Sequence, residues 1–107
     1  MKDNVVKDKS LEFAVRIVNL YKFLVNEQKE FVMSKQILRS GTSIGANIRE
    51  AEQAQSRADF INKLNIALKE ANETEYWLEL LIRTEYITRE QYAVSYTHLT
   101  LPTTERV

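Results

Sequence analysis

A chain of 107 residues with 44% hydrophobic and 28% charged positions is one domain with a single modest core. Two glycines and one proline favour long helices over a turn-rich sheet, so the expected class is all-α. The absence of cysteine excludes disulfides, thiolate nucleophiles and cysteine metal sites, and the zero net charge argues against wholesale, sequence-independent attachment to nucleic acid or anionic membrane.

The N-terminal MKDNVVKDKS has no apolar signal-peptide core, and no run approaches about 18 apolar residues. The expectation is a cytoplasmic protein with no membrane partner. The first helical pattern runs from about Ser10 to Asn26, with Ser10 as the expected N-cap. Leu11, Ala14, Ile17, Val18, Tyr21, Leu24 and Val25 share one broad face at about 100° per residue, whereas Phe13, Leu20 and Phe23 fall outside it and ask for a cover.

A second pattern runs from Met33 to Gln55. Ile37, Gly41, Ile44, Ile48 and Ala51 recur at spacings of 4, 3, 4 and 3, a helical seam that passes through RSGTSIGANIREA. A glycine inside a helix costs roughly 0.5–1 kcal/mol against alanine, so Gly41 and Gly45 predict a close approach by another helix. The packing motif is Gly41, Ile44, Gly45, Asn47 and Ile48, with Ser40, Ser43 and Asn47 along the edge opposite the glycines. Lys35, Arg39 and Arg49 stand on the polar side of this helix and, with Arg57, are the candidate contacts to RNA or DNA phosphates.

Ser56-Arg-Ala-Asp59 reads as a capping box opening a third helix that runs to about Thr84. Its expected core face is Phe60, Ile61, Leu64, Ala67, Leu68, Ala71, Leu78, Leu81 and Ile82, and a second apolar group, Ile66, Tyr76, Trp77 and Leu80, lies elsewhere on the helix. Helices apolar on two sides suggest burial against another subunit as well as within the monomer, the alternative being a wide face inside a small bundle. The candidate oligomer interface is Phe13, Leu20, Phe23, Ile66, Trp77 and Leu80. Thr88-Arg-Glu-Gln91 is a further capping box that should open a fourth helix over 89–93 and onward.

From Val94 the composition changes to VSYTHLTLPTTERV, which holds the only His and the only Pro. VSYTHLTLPT resembles, residue for residue, a translated reading frame of the transposon-end adapter used in tagmentation sequencing libraries. The expectation is a bundle domain over 1–93 and a non-native tail over 94–107, the alternative being a natural Thr-rich tail. His98 then carries no functional weight.

The remaining chemistry is narrow. Without Cys or a native His, the commonest general base and soft metal ligands are missing, and no Glu-x-x-His pair occurs. Glu70 and Glu73 are the carboxylates at i, i+3 spacing that an enzyme would have to use. G-T-S-I-G is too short between glycines for a phosphate loop and lacks the following lysine. The charged residues around G-x-x-x-G exclude a membrane dimerisation helix. No enzyme activity, cofactor, metal or small-molecule substrate is expected. Residues 1–40 carry eight Lys/Arg against five Asp/Glu, and residues 41–93 six against nine, an asymmetry open to a partner or to solvated helix faces.

SKQILRSGTSIGANIREA, SRADFINKLNIALKEANETEYWLELL and YITREQY together resemble a bacterial four-helix bundle family related to proteins encoded in intervening sequences of large-subunit ribosomal RNA. The resemblance runs from about Ser10 to Ala93 and is most specific at Arg39, Ser40, Ser43, Ile44, Ala46, Asn47, Ile48 and Glu50, then Phe60, Leu64, Ala67 and Leu78. It implies an up-down-up-down four-helix bundle whose fourth helix is truncated here, and a homo-oligomer, specifically a pentamer. A related branch contains retroelement accessory proteins that bind a reverse transcriptase and nucleic acid. The leading expectation is a non-enzymatic, self-associating accessory protein, and the alternative is a nucleic-acid-binding accessory protein. Loss of fourth-helix turns also implies poor stability of the isolated chain.

Overall fold

The computed structural model describes residues 4–91, and the expectations for the later course of helix 4 and for the tail lie outside them. Three long helices follow in chain order, α1 (Asn4–Asn26), α2 (Met33–Glu52) and α3 (Arg57–Arg83). A further helical turn is present at 89–91. The molecule is an all-α bundle in which α2 packs against both α1 and α3, while α1 and α3 make no close backbone approach to each other. Directions follow from the side chains that meet. Ser10 and Ile17 of α1 lie against Gly45 and Gly41 of α2. Ser40 bonds Thr74, and Glu50 pairs with Lys63. Both sets run antiparallel, so α1 and α3 point the same way.

Local chemistry explains most helix ends. Ser56 is extended and its Oγ accepts from the Asp59 amide at 3.0 Å, as the capping box predicts. Thr88 and Gln91 complete a reciprocal box, with the Thr88 amide donating to Gln91 Oε1 at 2.8 Å and the Gln91 amide to Thr88 Oγ1 at 3.1 Å. The start of α2 uses a different device. Glu30, buried in the α1–α2 connection, accepts from the amides of Val32, Met33 and Ser34 at 3.1, 2.9 and 2.7 Å. Its carboxylate meets the unpaired donors and the positive end of the helix dipole at once.

Helix α1 starts earlier than the sequence predicts. Ser10 is not an N-cap but an interior, buried residue whose hydroxyl donates to the Lys7 carbonyl at 2.8 Å. The preceding NVVKDKS lacks an apolar seam, so periodicity could not find it.

The core is Phe13, Ile17 and Leu24 from α1, Ile37 and Ile44 from α2, Ala67, Leu78 and Leu81 from α3, and Ile87 beyond. Leu20, Phe23, Trp77 and Ile48 pack against it. Two expectations are corrected here. Phe13 is only 2% exposed, so it belongs to the core and not to an oligomer interface, and Leu20, Phe23 and Trp77 are partly enclosed with it. Conversely Leu11, expected in the core, is 50% exposed. Both changes come from one rotation of α1, because the contact with α2 centres on Ser10 and Ile17 rather than on the wheel's apolar mean.

Candidate functional site

The glycines define one side of α2. A Cβ on Gly41 would stand 2.8 Å from Ile17 Cγ1 and 2.9 Å from Cγ2, and one on Gly45 would stand 3.2 Å from Ser10 Oγ. Neither glycine has positive φ, so close approach rather than backbone freedom explains them. Ile44 is buried between the neighbouring helices, and Ile48 is half-buried. Asn47 donates through Nδ2 to the Ser43 carbonyl at 2.9 Å, a bond within α2 and not across to a partner helix.

The other side of α2 faces α3 through a polar seam. Ser40 and Thr74, both fully buried, have their hydroxyl oxygens 2.8 Å apart, and Thr74 also donates to the Glu70 carbonyl at 2.8 Å. Outside this pair Arg39 Nη1 lies 3.2 Å from Glu70 Oε1, and Nη2 lies 2.6 Å from Glu73 Oε1. Trp77 Nε1 donates to Glu73 Oε2 at 3.0 Å, and its ring meets Tyr76 edge-on at 5.1 Å. Hydrogen bonds from Arg39 and then Trp77 hold the Glu73 carboxyl below its ordinary range, and the two glutamates raise the Arg39 guanidinium. The spacing that made Glu70 and Glu73 carboxylate candidates therefore serves an ion-pair clamp between helices.

This clamp changes the nucleic-acid reading. Arg39, itself half-exposed, shares its fork between two carboxylates, and Lys35, Arg49 and Arg57 are exposed as well. Lys35 and Arg49 stand 14 residues apart on α2, about 21 Å, and Arg57 opens α3. Two cations so far apart on one helix do not make a concentrated basic patch.

More of the surface is apolar than the sequence predicts. Phe60, Ile61, Leu64 and Leu68, all expected in the core, form an exposed strip on the N-terminal half of α3. Their apolar spacing was legible, but what covers them was not. On α1, Leu11 and Val15 are exposed beside half-buried Val18. Ile66 and Leu80, from the candidate interface, are half-buried. At the opposite end of the bundle a cleft of about 370 Å³ is lined by Phe23, Gln28, Ile82, Glu85, Tyr86 and Thr88 among others. Among the described residues no group of three or more His, Cys, Asp or Glu could hold a metal, and no helix is long and apolar enough to cross a membrane.

The family described as 23S rRNA-intervening sequence protein matches residues 2–101. A solved structure described as a protein with unknown function from the S23 ribosomal protein family, from Bacteroides thetaiotaomicron VPI-5482, is 93% identical. It superposes with a TM-score of 0.91, covering 94% of this chain and 89% of that one. No curated protein matches the chain.

Proposed function

We propose that this chain, which belongs to the 23S rRNA-intervening sequence protein family, acts as a non-enzymatic bundle that associates with copies of itself and serves as an interaction or RNA-associated accessory protein in the cytoplasm. The observation that carries this reading is the exposed strip of Phe60, Ile61, Leu64 and Leu68 on a regular helix. Scattered apolar side chains on a surface are ordinary, but four on one side of one helix mark a contact face. The family resemblance extends the reading to a pentamer. Sedimentation velocity over a wide concentration range tests it: a discrete species larger than a monomer supports self-association, and a monomer throughout removes it.

A second reading has its own observation. Lys35 and Arg49 are both exposed on the outward side of α2, where an oligomer would repeat them around its surface. Contact with RNA or DNA phosphates through them would weaken steeply as salt rises, whereas apolar assembly would not. Binding to a labelled RNA at several salt concentrations separates the two, because a salt-independent signal leaves no part for phosphate contacts.

A further inference from the structure

We propose that the α3 strip of Phe60, Ile61, Leu64 and Leu68 is covered by the α1 strip of Leu11, Val15 and Val18 from a second copy of this chain. The proposal rests on the self-association reading and names the two surfaces that meet.

The strips lie on different parts of the molecule. On α1 the side facing α2 is marked by Ser10 and Ile17, which touch the two glycines. Leu11, Val15 and Val18 stand roughly 100° or more around the helix from that side. On α3 the buried side is marked by Ala67, Thr74, Leu78 and Leu81, and Ile61 and Leu68 turn away from it, at 44% and 56% exposure. Since α1 and α3 each pack on α2 without a close backbone approach to each other, and Leu11, Val15, Ile61 and Leu68 stay exposed, one copy does not close its own two strips together.

Charge gives the register and selects the occupant. Along α1 acidic Asp8 stands before the apolar strip and basic Lys22 after it, Lys7 beside Asp8 being paired with Glu52. Along α3 it is basic Arg57, then the apolar strip, then acidic Glu75. Asp8, Lys22 and Arg57 are exposed and Glu75 half-exposed, and none of the four has an ion pair among the described residues. The two charged ends are separated by about 21 Å on α1 and about 27 Å on α3, a match to about one helical turn. Because α1 and α3 run in the same direction, two copies standing side by side with parallel axes set Asp8 beside Arg57 and Lys22 beside Glu75. The contact joins two different patches, so it is heterologous, each copy offering one strip and accepting the other.

Two single variants and their mixture test this in the full chain. Leu68→Asp blocks the α3 strip and Val15→Asp the α1 strip; both positions are exposed, and circular dichroism melts check that each variant folds. By sedimentation velocity the unsubstituted chain is expected to assemble and each variant to be a monomer. An equimolar mixture should form a heterodimer and stop at two chains, because only one intact pair of strips remains. A charge exchange reports the register: Asp8→Lys and Arg57→Asp should each weaken assembly, and combining them in one chain should restore it. If the unsubstituted chain is a monomer throughout, the self-association reading falls and this contact with it. If assembly survives in both variants, self-association stands and this interface is wrong. A mixture that fails to pair overturns the heterologous contact, and a Leu68→Asp variant that melts lower with unchanged assembly shows a strip covered from within the chain, which also overturns it.

Discussion

Ile17 sits directly over Gly41, so close that a single added methyl group at position 41 would overlap two of its side-chain carbons, at 2.8 and 2.9 Å. The branched Ile17 side chain begins at its Cβ, itself 3.2 Å from the added carbon, so rotation about χ1 cannot clear the space. Gly41→Ala should therefore destabilise by about 1–3 kcal/mol despite alanine's better helix propensity. Gly45→Ala meets the Ser10 hydroxyl at 3.2 Å and should come out much nearer neutral. Urea titrations of both variants check the order; equal losses would mean that the α1–α2 approach is not set at Gly41.

The buried Ser40–Thr74 pair ties α2 to α3 at mid-length. Thr74→Val removes the partner of the Ser40 hydroxyl where water does not reach, and should cost about 1–3 kcal/mol. Removing both hydroxyls, as Ser40→Ala with Thr74→Val, should recover part of that loss. A double-mutant cycle on thermal unfolding measures the coupling, and additive losses would show that the hydroxyls act separately.

Glu30 caps α2 from outside the helix with three amide hydrogen bonds. Glu30→Ala should cost about 1–2 kcal/mol, with Glu30→Gln intermediate because it keeps an acceptor but loses the charge. Hydrogen exchange at the Val32, Met33 and Ser34 amides should accelerate in step. Unchanged exchange in the alanine variant would assign the capping role elsewhere.

Arg39 and Trp77 hold the Glu73 carboxyl below its ordinary value of 4.5. A carboxyl lowered by folding contributes stability that is present above its unfolded pKa and lost as pH falls through the folded one. Stability should therefore decline as pH drops below about 4.5, and Glu73→Gln should flatten that part of the curve. The clamp is half-open to solvent, so its contribution at neutral pH should stay within about 1 kcal/mol and shrink with salt. Chemical denaturation across acidic pH, with and without added salt, reads both effects.

The sequence by itself determined much of the local structure, though not the start of α1 or the Glu30 cap of α2. The seam through Ile37, Gly41, Ile44, Ile48 and Ala51, the Ser56 cap and the Thr88–Gln91 box depend on residues three or four apart, and such relations stay within one helix. It also marked Gly41 and Gly45 as places of close approach, since glycine inside a helix needs a reason. What it could not supply was anything that depends on a second element. The rotation of α1 that buries Phe13 and exposes Leu11 is set by Ser10 and Ile17 fitting beneath the glycines of α2. Arg39 reads as a free cation until α3 brings Glu70 and Glu73 to it across more than thirty residues of chain. Phe60, Ile61, Leu64 and Leu68 read as core because a helical wheel shows which side is apolar and never what lies against it. Only the packing of three helices decided which apolar surface was used inside and which was left outside, because burial is a property of neighbours and not of spacing.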